Sequence, residues 1–162
     1  MSWHGPTPVS LPGDRPIYAA PAISPGGDRA YVVYEAVTSP WRGDDVSSPR
    51  PYHGVFLSAP VDAGGPGTWA PLYDGPFGDL RASYPGHRLR EERIGDYVYA
   101  AASRDYGVGV WLDARNARGV PGGAGLARPV ACGRRAGPAR AMAAGDCPAT
   151  FGNTDVWSAT TG

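Results

Sequence analysis

Apolar and polar residues alternate with a period of two in short runs along this chain, and each run is broken by Gly, Pro, Asp or Ser. That pattern predicts strands joined by turns. The expected strands are Trp3 to Leu11, Ile17 to Ser24, Arg29 to Val37, Gly54 to Val61, Thr68 to Tyr73, Ile94 to Ser103, Val108 to Ala114 and Thr154 to Thr160. A helical period is hard to find. The best stretch, Arg134 to Gly145, carries Pro138 in its middle and reads as a loop.

Two phrases recur. Residues 24–36, SPGGDRAYVVYEA, and 103–114, SRDYGVGVWLDA, each run from a Ser through a turn into a strand that ends in an acid and an Ala. Phe56-Leu57-Ser58-Ala59 likewise reads as Val156-Trp157-Ser158-Ala159. Strand, turn, strand, loop, strand, stated twice, is the signature of a blade repeat. On a four-stranded blade pattern, residues 17–75 make one full blade and 76–93 a linker. Residues 94–162 make a last blade with a long loop at 115–153 and no fourth strand. Residues 1–16 read as the outer strand of a preceding blade. The expected fold is therefore all-β: a partial β-propeller of about two four-stranded antiparallel blades, incomplete at both ends. Propellers close with about four to eight blades.

Composition narrows the function classes. The 162 residues are 42% hydrophobic and carry 15 basic against 15 acidic side chains, which gives no electrostatic reason to expect a nucleic acid or a membrane surface as partner. Every basic residue is Arg, a bias that GC-rich coding explains together with the abundance of Ala, Gly and Pro. No run is apolar enough to span a bilayer, and the first residues show neither a basic nor an apolar signal region. Cys132 and Cys147 lie about fifteen residues apart in the long loop. That spacing suits a local disulfide, worth about 3 kcal/mol, in preference to free thiols. A disulfide implies export, which a longer reading frame with an upstream leader would reconcile with this N-terminus. His4, His53 and His87 show no metal or triad spacing, and no metal or cofactor is expected. Arg42-Gly43-Asp44 is an adhesion tripeptide of the kind that arises by chance in a chain rich in these residues.

A family resemblance rests on an ordered set of motifs. Pro21-Ala22-Ile23-Ser24 before a Gly-Gly-Asp turn, Arg81-Ala82-Ser83, Ile94-Gly95-Asp96-Tyr97, Val110-Trp111-Leu112-Asp113-Ala114-Arg115 and Asn153-Thr154-Asp155-Val156-Trp157 together resemble the closing blades of bacterial sialidase-like propellers. These are BNR-repeat proteins of the exo-alpha-sialidase type. The Asp-box expected between the third and fourth strands of a blade is degenerate, with extra residues between Asp62 and Trp69. Nothing resembles the N-terminal Arg motif of true sialidases. The resemblance implies a secreted or cell-surface glycoside hydrolase acting on a sialylated glycan, with a Tyr nucleophile, acidic helpers and Arg residues that clamp the substrate carboxylate.

Topology would bring one set of residues to a single rim. Glu92, Asp96 and Tyr97 enter the first strand of the last blade, Asp113 and Arg115 leave its second strand, and Glu35 leaves the second strand of the first blade. Tyr97, Asp96, Asp113 and Glu92 are thus the candidate catalytic residues, and Arg115, Arg81 and Glu35 the candidate substrate contacts. Each also has a plainer role: Asp96 a turn, Tyr97 a core aromatic, Asp113 and Arg115 a structural pair, Glu35 and Arg81 solvated groups. The functional expectation is a propeller fragment of a sialidase-like hydrolase, inactive alone, that associates with missing blades or with itself. The alternative is a non-catalytic propeller module that binds carbohydrate or protein.

Overall fold

A computed structural model of the chain describes residues 5–40, 50–80, 97–115 and 155–161. Its regular elements there are all strands: β1 (Arg15–Ile23), β2 (Arg29–Val37), β3 (Pro51–Asp62), β4 (Gly65–Pro66), β5 (Ala70–Asp74), β6 (Gly78–Asp79), β7 (Tyr99–Ala102), β8 (Gly107–Asp113) and β9 (Asp155–Thr160). They form two antiparallel sheets. In the larger, β1 pairs with β2 and β2 with β3, and β3 also pairs with β4, β5 and β6; the smaller runs β7-β8-β9. Residues 5–11 of the expected first strand form no strand. Pro6 and Pro8 remove the backbone donors that a ladder there would need.

Both strand-one hairpins are closed by a Ser. Ser24 Oγ accepts the Arg29 N–H and donates to Asp28 Oδ1, and Gly27, at φ 72°, carries the chain round. Ser103 Oγ accepts the N–H groups of Asp105 and Tyr106 at 3.1 and 3.0 Å. The recurring Ser is therefore a turn residue in both copies. The loops differ in length, however. The closing backbone bond joins Ser24 to Arg29 in one and Ser103 to Tyr106 in the other. Glu35 follows its closing residue by six positions and Asp113 by seven, so the two acids fall on opposite faces of their strands.

The sheets stack face to face, and that slip turns the two acids toward each other. Tyr31, Val33 and Phe56 of the larger sheet and Trp111 of the smaller form the core between them. Glycines permit the approach. A Cβ on Gly54 would lie inside the Trp111 indole, and one on Gly109 would come within 2.8 Å of Phe56. Tyr31 packs at Gly107, Val33 at Gly109, and Glu35 bonds to Leu112. The second strands of the two sheets thus run in the same direction across the interface.

The sheets differ in how many faces are covered. β2 and β3 are buried on both faces, the second face being packed with Tyr34, Ala36, Val55 and Leu57 under Leu11 and Trp69. β8 alternates buried and half-buried residues along its length. On the outer side of the smaller sheet Tyr97, Tyr99 and Val156 are exposed.

Candidate functional site

The strand ends that carry Glu35, Asp113 and Arg115 meet at one end of the sheet interface. β8 delivers Asp113 there with its carboxylate buried, and the chain then turns so that Arg115 folds back onto it. Asp113 Oδ1 accepts the Arg115 backbone N–H at 2.7 Å and Nε at 2.8 Å, while Oδ2 accepts Nη2 at 2.6 Å and Trp111 Nε1 at 3.1 Å. The pair is two-pronged and charge-assisted. Hydrogen bonds from Arg115 to Asp113 and to Tyr73 favour its charged form despite partial burial. The guanidinium also lies 3.8 Å over the Trp157 ring and donates from Nη1 to Tyr73 Oη at 2.8 Å. Cation, carboxylate and two aromatics thereby fasten the smaller sheet to β5.

Glu35, expected on an open rim as a substrate contact or, more plainly, a solvated group, is fully buried. Its position explains the difference: β2 is central, with β1 and β3 on its flanks and the smaller sheet over this face. Glu35 Oε1 accepts the Leu112 N–H from β8 at 2.9 Å. Oε2 has no partner within hydrogen-bond geometry, although the Tyr52 hydroxyl is close enough to affect the carboxyl's titration. Burial pushes the Glu35 carboxyl up to about 7, and the nearby Asp113 charge pushes the same way. The Tyr52 hydroxyl donates to the Leu112 carbonyl at 2.9 Å, and burial raises its own titration far above the ordinary tyrosine range.

A second polar cluster escaped the sequence reading. His53, buried on β3, has Nδ1 3.0 Å from Asp74 Oδ1 and Nε2 2.9 Å from Asp14 Oδ1. Tyr34 donates to Asp14 Oδ2 at 2.7 Å and accepts the Leu11 N–H, and Phe77 lies 4.3 Å from the imidazole. Burial raises the Tyr34 hydroxyl, so it stays neutral and able to donate to Asp14. Both ring nitrogens face carboxylates, so the imidazole has no free nitrogen to activate a nucleophile. The cluster ties the segment before β1 to β3 and β5. Residue spacing could not reveal it, because its members come from the segment before β1 and from β2, β3 and β5.

The remaining candidates separate. Tyr97 is 68% exposed and lies parallel to Tyr99, with ring centres 6.3 Å apart, on the outer face of the smaller sheet. Asp96, Glu92, Arg81, Cys132 and Cys147 lie outside the described residues. Among the described residues no group of His, Cys, Asp and Glu has the arrangement of a metal site, and no helix is long and apolar enough to cross a membrane.

Chemically, the two described candidate acids, Glu35 and Asp113, are placed to join sheets. A retaining glycosidase needs a nucleophile at the anomeric carbon and an acid/base at the glycosidic oxygen, flanking one scissile bond. Glu35 and Asp113 both point into the sheet interface instead, each bonded to a backbone N–H. The chain matches no family model, no curated protein and no solved structure.

Proposed function

We propose that this chain forms two adjoining blades of a sialidase-like β-propeller that serves as a carbohydrate-binding module, not as a hydrolase. The observation that carries this reading is the burial of Glu35 and Asp113, which hold one sheet against the next and are closed to a substrate. Same-direction stacking of the two sheets supports the propeller part, since blades related by rotation about an axis face one another in that sense. Adjacent exposed tyrosines at 97 and 99 support the binding part, because phenol rings offer apolar faces with a polar tip for sugar rings. A ring would need further blades, from the same polypeptide or from other copies.

The hydrolase reading is favoured by one observation: Tyr97 is exposed and follows Asp96 directly in sequence. Two measurements separate the readings. Titration of sialylated and neutral oligosaccharides by calorimetry should show binding that Tyr97→Ala and Tyr99→Ala weaken by about tenfold each, on the scale of an aromatic contact. A fluorogenic sialoside should not turn over. Turnover lost in Tyr97→Phe would establish the hydrolase reading, and absence of binding to any tested glycan would remove the binding one.

A further inference from the structure

Glu35 is a buried carboxyl that reaches from one sheet to the other. On its own sheet it faces Tyr18 of β1, its cross-strand partner, and Tyr52 of β3. From β8 it meets the Leu112 N–H and the Asp113 carboxylate, whose charge is in turn matched by Arg115. Among the described residues no cation is bonded to Glu35 itself. A buried carboxylate without a counter-charge is strongly disfavoured in its ionised form relative to its neutral one.

The Tyr52 hydroxyl lies close enough to Glu35 to affect its titration and sends its own proton to the Leu112 carbonyl, while Glu35 Oε2 is buried with no partner within hydrogen-bond geometry. Two bonds cross the interface at this point, Leu112 N–H to Glu35 Oε1 and Tyr52 Oη–H to Leu112 O. We propose that Glu35 is a proton-operated latch between the two sheets, closed when the carboxyl is neutral and strained open when its proton leaves to bulk water. Ionisation puts a second negative charge beside Asp113 and draws the Tyr52 proton away from the Leu112 carbonyl.

The sign of the pH effect follows from where the proton is held. The folded chain keeps it up to about pH 7, while the unfolded chain releases it near 4.5. The latch therefore contributes fully below pH 4.5, and its contribution is lost as pH rises through 7. Other carboxyls oppose this trend: Asp28, whose pKa is lowered mainly by its bond from Ser24, contributes only when ionised. A comparison with Glu35→Gln isolates the latch, because Gln keeps the acceptor for the Leu112 N–H and the side-chain shape without titrating.

The test is urea unfolding of the full chain and of Glu35→Gln from pH 4 to 8. The variant's folding constant relative to the parent should rise by on the order of a few hundredfold across that range, with most of the change between pH 5 and 7. Parallel profiles would overturn the proposal. If Glu35→Gln does not fold, carbon-detected NMR of the Glu35 carboxyl in the unaltered chain decides: a midpoint near 7 upholds the latch, and one near 4.5 ends it.

Discussion

Replacing Asp113 by Ala tests the joint at its most heavily bonded residue. The change removes the acceptor of four hydrogen bonds, from Trp111 Nε1 and from the backbone, Nε and Nη2 of Arg115. It strands the Arg115 charge, whose side chain is only 13% exposed. Removing one partner of a buried ion pair costs about 3–5 kcal/mol. Arg115 keeps its bond to Tyr73, its contact with Trp157 and a little water, which places the expected loss near the lower end, about 3 kcal/mol. Arg115→Ala should cost less, about 2 kcal/mol, because the Trp111 indole and the residue-115 backbone N–H still serve the carboxylate. The double variant should lose at least about 1 kcal/mol less than the sum of the two. Urea unfolding followed by tryptophan fluorescence reads all three, since Trp111 and Trp157 both touch the pair. A loss below about 0.5 kcal/mol for Asp113→Ala, the size of an ordinary surface substitution, would show that the pair does not fasten the sheets.

Other positions give sharp expectations. Gly54→Ala would drive a methyl into the Trp111 ring and should cost about 1–3 kcal/mol in the same assay; a neutral result would mean that the sheets stand further apart than described. Asp14→Asn should destabilise the fold more than Asp74→Asn, although both carboxylates bond His53, because the Asp14 side chain is 5% exposed and that of Asp74 53%. The expected losses are about 2 kcal/mol and under about 1 kcal/mol, and equal losses would refute the ranking.

Most strands were legible because alternation and turn residues mark them locally. Arg29–Val37 is found at its expected limits, and β1, β3, β5 and β8 at theirs within a few residues. The first expected strand fails in its described part because Pro outweighs the apolar pattern. What the sequence hid is set by register and by distant partners. A phrase repeated with one residue's difference in length looks like a pair of equivalent acids, yet the slip sends Glu35 and Asp113 to facing sides of one interface. Burial of Glu35 depends on a sheet that starts more than sixty residues later. His53 sits in a run, PYHGVF, whose pairing places it opposite Ala36, but its acids lie 39 and 21 residues away. Asp113 and Arg115 were readable as a pair because only one residue separates them.

The placement of the acids can be read chemically in the native chain. Brief carbodiimide labelling of carboxyl groups, mapped by mass spectrometry, should modify exposed Asp62 and Asp105 and leave Glu35 and Asp113 untouched until the protein unfolds. Labelling of Glu35 or Asp113 at the rate of Asp105 would mean that these acids face solvent and a ligand, and that they do not join the two sheets.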